Sequence, residues 1–306
     1  MKKYPIKLAP QVRTALWGRE LWLVSGVSAM PSVVANGEYA GRTLPELTEE
    51  FGKELVGAKA ADGNGFPLLV KIIEAEDRLS LQVHPSETTR NLCGGDPKTE
   101  MWYVLDGAPD ACIFAGLREG VGRDDLVRSL HDGTAEDLVV RFDAKRGDVL
   151  FIPGGLVHAI GAGCRLYEVQ QTSDTTWRLH DWNRVDPKTG LPRPLHEREG
   201  LAAIDWSLPP PRLLKGLPSA DGGQLISPLV DCAHFRFSSI ALSCPVTLPG
   251  DDESFRIIFV EEGVCSVAVD GAGPVELTAG ECVLVPAGSV PSLTPLPRTS
   301  LLISTR

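Results

Sequence analysis

Four side chains in the first 160 residues have the types and spacing to hold a divalent cation: Gln82, His84, Glu100 and His158. Gln82 and His84 stand two apart in Leu79-Ser-Leu-Gln-Val-His-Pro85. In a strand, residues i and i+2 share a face, so their donors point the same way. Glu100 opens the next strong apolar run, and His158 follows a Pro-x-Gly turn at Pro153–Gly155, so both can converge on the first two. Two imidazoles, a carboxylate and an amide oxygen suit Zn²⁺ best, with Fe²⁺, Mn²⁺ or Co²⁺ also accommodated. With no thiolate and room for water, such a site is expected to be catalytic. A lone strand histidine is more often a hydrogen-bonded core residue, and His131, His180, His196 and His234 are read that way or as surface residues. His84 and His158 differ because each lies in a patterned motif.

The rest of the chain must supply the frame. An apolar fraction of 43% and a charged fraction of 23% describe a globular protein with a substantial core. A net charge of −10 disfavours nucleic acid as a partner, because phosphate contact wants a basic surface. No apolar run approaches the roughly 20 residues that span a bilayer, and no apolar core follows Lys2 and Lys3. The seven cysteines are scattered without a CxxC, which fits reduced thiols in a cytoplasmic protein.

Short apolar stretches bounded by turn residues predict a mainly β protein with few helices. The expected helices are Thr43–Phe51, with Thr43 as its cap, Gly122–His131 and Pro194–Ile204. A weak internal repeat organises the strands. Gly147-Asp-Val-Leu-Phe-Ile-Pro153-Gly-Gly155-Leu-Val-His158 matches Gly280-Glu-Cys-Val-Leu-Val-Pro286-Ala-Gly288-Ser-Val-Pro291, both reading G-x5-P-x-G-x2-[H or P]. Upstream, each copy has a strand ending in an acidic residue and Gly: Trp102 to Asp106-Gly107, and Ile258 to Glu262-Gly263. The expected division is a first domain over 1–206, a Pro-rich linker over 207–223 and a second domain over 224–306.

The repeat resembles the second motif of the cupin family, whose histidine is a metal ligand. Gln82-Val83-His84 stands where the first cupin motif carries H-x-H, and its Glu comes late, at 100. In the second copy Pro291 replaces the histidine, and Arg256 falls where Glu100 aligns. The resemblance implies two cupin (jelly-roll) β-barrels, the first with a metal and the second without.

A wider resemblance is to the short form of the type I phosphomannose isomerases. It is carried by Leu79-Ser-Leu-Gln-Val-His-Pro85 after Leu69-Val-Lys71-Ile-Ile, by Lys98-Thr-Glu-Met-Trp-Tyr-Val-Leu-Asp106, by Val157-His-Ala-Ile-Gly-Ala-Gly163, and by Tyr167-Glu-Val-Gln-Gln-Thr-Ser-Asp-Thr-Thr-Trp-Arg-Leu-His-Asp-Trp182. It covers most of 15–205 and, more loosely, the second copy. The chain departs from it at Pro97, where longer members have His, and over Glu20–Met30, which is shorter and more apolar. The resemblance implies one Zn²⁺ per chain, held by Gln82, His84, Glu100 and His158. It makes Arg178 the catalytic arginine, lines the pocket with Lys98, Glu168 and Asp174, and puts Lys71 and Ser80 near a substrate phosphate. The implied reaction interconverts mannose 6-phosphate and fructose 6-phosphate through an enediol, with Lys98 or Glu168 acting at carbon and Asp174 aiding ring opening. Three alternatives stay open: a different metal enzyme on the same fold such as an Fe²⁺ dioxygenase, a non-catalytic sugar-binding or regulatory cupin, and an isomerase of another sugar, free or phosphorylated.

Overall fold

The computed structural model describes residues 1–60, 65–216, 219–221, 224–269 and 271–306. Positions 217, 218, 222 and 223 of the expected linker lie outside the described residues. The fold is mainly β, as expected. By contact density the chain forms two compact units. One comprises Met1–Gln11, Trp22–Val70 and Lys215–Arg306, and the other Val12–Leu21 and Lys71–Leu214. The sequence division follows chain order, whereas the contacts do not. Strand Ile6–Ala9 pairs antiparallel with Cys282–Val285, which draws the N-terminus into the C-terminal sheet. Within the expected linker, Leu214 bridges to Val149.

Two sheets carry the unit containing Lys71–Leu214, and strands Leu68–Ala75, Gly18–Val24 and Gln11–Ala15 belong to it through Lys71–Ala75, Gly18–Leu21 and Val12–Ala15. In the five-stranded sheet the order is Trp177–His180, Leu81–Val83, His158–Ile160, Cys112–Leu117 and Val139–Asp143. The six-stranded sheet runs Val149–Ile152, Glu100–Gly107, Cys164–Gln171, Leu68–Ala75, Gly18–Val24 and Gln11–Ala15. Strand alternation divides the side chains of the first sheet. Leu81, Val83, Val157, Ala159 and Leu179 join a core completed by Leu126 and Leu130 of helix Arg123–Asp132 and by Leu201 and Ala203 of helix Glu197–Ala203. Each such Leu or Val side chain, fully buried, contributes roughly 1.5–3 kcal/mol. The intervening residues, Gln82, His84, His158 and Arg178, are thereby turned to the opposite face. A second core, including Ile73, Trp102, Val104, Ile113 and Ile152, packs there.

The other unit has an eight-stranded and a four-stranded sheet, with a core of Ile240, Ile258, Val260, Val267, Leu277, Leu293 and their neighbours. Its helix Leu44–Phe51 begins at Thr43 in a capping box with Glu46, as the sequence predicts. The third expected helix is shorter, Glu197–Ala203. Its first residues are used otherwise: Pro194 O accepts from Arg178 Nη1, and His196 N–H donates to Arg178 O. No helix among the described residues is long and apolar enough to cross a membrane.

Candidate metal centre and its pocket

Three expected site residues occupy one row of the five-stranded sheet. Gln82 pairs in register with His158 on one side and with Arg178 on the other. The Pro-x-Gly turn sets the start of His158's strand. Gly155 sits at φ +92°, and its N–H donates to His84 O at 2.8 Å, tying the two ligand-bearing segments together. A Cβ on the adjacent Gly154 would stand 2.5 Å from Pro85 O, so this close approach requires glycine.

His84, Glu100 and His158 come together, each 1% exposed. His84 Nδ1 lies 2.8 Å from Thr175 O, and His158 Nδ1 lies 2.8 Å from Leu156 O. A carbonyl only accepts, so each Nδ1 carries the proton and each Nε2 presents a lone pair. Those lone pairs face the Glu100 carboxylate: His84 Nε2 is 3.6 Å from Oε2 and His158 Nε2 is 3.4 Å from Oε1. Lone pairs against an anion repel unless a cation compensates them; the Lys98 ammonium reaches His84 Nε2 at 3.2 Å and Glu100 Oε2 at 2.8 Å, and a metal ion would compensate both imidazoles. Two ligand atoms each about 2.1 Å from one ion at the tetrahedral angle stand about 3.4 Å apart, which matches both spacings. The donor set therefore fits a metal ion. Burial, and then the Lys98 ammonium, push the His84 imidazole down to about 4, and burial lowers His158 as well. Neutral imidazole is the form a metal binds. Burial alone would raise the Glu100 carboxyl, but Lys98 at 2.8 Å together with His84 and His158 outweighs it and holds the acid well below the usual carboxylate range. Gln82 turns its amide nitrogen to His158 Nε2 at 3.2 Å and its oxygen to the Ser80 hydroxyl at 3.1 Å. A half-turn of the amide presents the oxygen to the same centre.

The six-stranded sheet supplies a second polar group across neighbouring strands. Glu168 lies directly opposite Trp102, whose indole N–H donates to Oε2 at 2.8 Å. Lys71, on the next strand, stands 3.2 Å from Glu168 and 3.7 Å from Glu20 one strand further. Lys71 is buried, which alone would lower its pKa, but Glu168, Glu20 and Glu100 together outweigh burial and raise it. Its charge is thus matched within the protein.

A cavity of about 280 Å³ opens above the metal centre, at the small end for ligand sites. Lys71, Ser80, Gln82, Lys98, Glu168, Asp174 and Arg178 all line it, and the remaining three expected residues are the buried triad. Asp174 is half exposed and pairs with Arg13 at 3.1 Å, not with Arg178. Arg178 donates from Nη1 to Pro194 O at 2.9 Å, while its Nε is buried without a hydrogen-bond partner. Burial and the neighbouring Arg193 charge lower its pKa. Arg13, Glu20 and Arg193 also line the cavity and were not predicted. Nothing in their local sequence marks them, since Arg193 lies in a Pro-rich turn and Glu20 in an ordinary strand.

Known proteins match this frame. The model of the type I phosphomannose isomerase catalytic domain matches residues 6–105. Mannose-6-phosphate isomerase ManA of Bacillus subtilis is 35% identical over 271 residues, spanning 88% of this chain and 84% of its own. The Streptococcus mutans mannose-6-phosphate isomerase is 34% identical over 223 residues, covering 67% and 69%. The crystal structure of a Bacillus subtilis mannose 6-phosphate isomerase superposes with a TM-score of 0.88, at 28% identity, over 99% of each chain. With the ligand geometry and these likenesses together, this chain belongs to the type I phosphomannose isomerase family.

Proposed function

We propose that this protein interconverts mannose 6-phosphate and fructose 6-phosphate, with one Zn²⁺ held by His84, Glu100, His158 and the Gln82 amide oxygen. The observation that carries this reading is the buried Glu100 carboxylate facing two imidazole lone pairs, at tetrahedral spacing, beneath a cavity lined with acid and base groups. Family membership supports the same reaction. Seven free cysteines are consistent with a reducing, cytoplasmic setting.

The metal, when bound, supplies Lewis-acid polarisation of the sugar oxygens. The chain's own residues handle the protons. Isomerisation takes a proton from C2 of the open-chain aldose, moves one from the C2 hydroxyl to the C1 oxygen, and returns a proton to C1. Glu168, held by the Trp102 N–H and ion-paired with Lys71, is the base at carbon. Lys98, ion-paired with Glu100, is placed to exchange protons with oxygen. Arg178 stays charged at working pH and suits stabilisation of the enediolate rather than proton transfer. Asp174, half exposed beside Arg13, is the group for ring opening.

A coupled assay for fructose 6-phosphate formed from mannose 6-phosphate, before and after chelation, tests the proposal. Turnover by the zinc-loaded protein that is lost on chelation and restored by zinc is the expected result. No turnover by the loaded protein would sink the reaction, and full turnover by metal-free protein would sink the metal.

A further inference from the structure

A second cavity, of about 410 Å³, lies within the unit containing Lys71–Leu214 and shares no lining residue with the one above the metal centre. Its size falls in the range of small-molecule sites. Its floor is aliphatic, made of buried Leu156, Val157 and Ile204. That floor is tied down from behind. Gly155 N–H donates to His84 O at 2.8 Å, Leu156 O lies 2.8 Å from His158 Nδ1, and Val157 O accepts from Gly116 N–H at 2.8 Å. One wall is the Pro-rich stretch. It lies so close to strand Cys112–Leu117 that a Cβ on Gly116 would stand 2.7 Å from Pro210 Cα. The cavity is thus formed before any ligand arrives, and ordering it costs a ligand little.

The exposed part of the lining differs from the floor. Trp206 is 39% exposed, so its indole has surface left for a ligand. The charged residues of the lining are Arg118, Glu119 and Asp205, and none makes an ion pair among the described residues. Arg118 donates from Nε to Asp137 O at 2.8 Å, which leaves both Nη groups as donors. Asp205 Oδ1 accepts from the Ser207 N–H at 3.0 Å and hydroxyl at 2.6 Å, which leaves Oδ2 as an acceptor. The Glu119 carboxylate has no partner among the described residues.

These groups select a ligand by its chemistry. An aliphatic floor and an indole take a compact body with an apolar face. Two carboxylates only accept, so the edge of that body must carry O–H or N–H donors, and an oxygen on it meets the guanidinium. Two carboxylates against one guanidinium also repel a ligand that carries a phosphate or carboxylate. A pyranose has this form, with C–H groups on one face and hydroxyls around the rim.

We infer that this cavity is a second binding site, for an uncharged hexose. The C–H face of the ring lies against the floor and Trp206, and its hydroxyls meet Glu119, Asp205 and Arg118. The site is separate from the metal centre and does not depend on the isomerase reading.

The test follows the indole N–H resonance of Trp206 in zinc-loaded protein, isotope-labelled at its tryptophans, during titration with D-mannose or D-glucose. Loss of one resonance in Trp206→Phe identifies it. A saturable shift is expected, with a dissociation constant on the order of 1 mM, as about a dozen non-hydrogen atoms supply at ordinary ligand efficiency. Glu119→Gln and Arg118→Gln should each weaken it about tenfold, and both positions are exposed, so folding is not at stake. Glu168→Gln, which alters only the other cavity, should leave the affinity unchanged. Glucose 6-phosphate should bind at least about tenfold more weakly than glucose. The inference is overturned by no saturable shift with either hexose, by wild-type affinity in both Glu119→Gln and Arg118→Gln, or by loss of the shift in Glu168→Gln. Adenosine shifting the resonance where neither hexose does would also overturn it, in favour of a stacked base.

Discussion

The two units repeat one frame around different interiors. Gly147 N–H donates to Val104 O and Gly280 N–H to Val260 O, at 2.9 and 2.8 Å. Val104 N–H donates to Asp148 O and Val260 N–H to Glu281 O, both at 2.9 Å. Glu100 opens its strand opposite Ile152, as Arg256 opens its strand opposite Val285. His158 begins the strand after the Pro-x-Gly turn, and Pro291 does so in the other copy. The backbone frame is therefore the same around the His84, Glu100 and His158 group and around Arg256 and Pro291. What differs is the filling: Ile258 stands where Trp102 does, in a core with Val267, Leu277 and Leu293, and with no group like Lys71, Glu168 and Glu20 among the described residues. A buried carboxylate facing two lone pairs is costly without a cation, so the polar interior persists where the ion compensates it.

The most severe way to break the comparison is to remove the compensation. Chelation, or His158→Ala, is expected to cut kcat/KM by about three orders of magnitude or more, because Lewis-acid stabilisation is worth several kcal/mol. Metal content by elemental analysis should fall from one ion per chain to none in parallel. Glu168→Gln keeps the ligands and removes the base. Its kcat should fall about 10²–10⁴-fold with KM and metal content little changed. Near-normal turnover would remove Glu168 from the mechanism.

The reverse experiment moves ligands into the other interior. Arg256→Glu with Pro291→His restores two ligand types at the matching places. It is expected to leave the metal ratio at one per chain, because the described core around these places is apolar. A second bound ion would show that the frame, not the filling, selects the metal.

How much of this was legible follows from locality. Gln82 and His84 share a strand face, and the Pro-x-Gly turn announces His158, so the ligand set is readable from short patterns. The capping box at Thr43 is equally local. Strand Ile6–Ala9 joining Cys282–Val285 is not, because pairing between distant segments leaves no local mark. Lys71 is an instructive half. A lysine in the apolar run Leu-Val-Lys-Ile-Ile calls for an anion, and the structure supplies two, Glu168 and Glu20. Only the first lies in a recognisable stretch. Arg193 is fixed by Asp181 beside a turn of left-handed residues, a conformation that Asn183 suits but that Trp182 does not advertise.

Filling and frame separate further in stability. Leu293 is fully buried in the core of the copy that carries Arg256 and Pro291. Leu293→Ala should cost about 2–5 kcal/mol in denaturant unfolding, by lost burial plus a cavity, while kcat and metal content of the folded fraction stay unchanged. A drop in metal affinity of similar size would contradict the view that each interior is a separate packing problem.

The smallest effect belongs to the frame alone. Thr43 caps helix Leu44–Phe51 with both halves of the box present: Glu46 Oε2 accepts from Thr43 N–H at 2.7 Å, and Thr43 Oγ1 accepts from Glu46 N–H at 3.4 Å. The second contact is long, so the hydroxyl contributes weakly as an acceptor, and the group is exposed, where water replaces it. Thr43→Ala should therefore cost about 0.5 kcal/mol, the low end for a cap, with activity unaltered. A loss above about 2 kcal/mol would exceed what an exposed cap supplies and would mean that the hydroxyl, not the Glu46 arm, fixes the start of the helix.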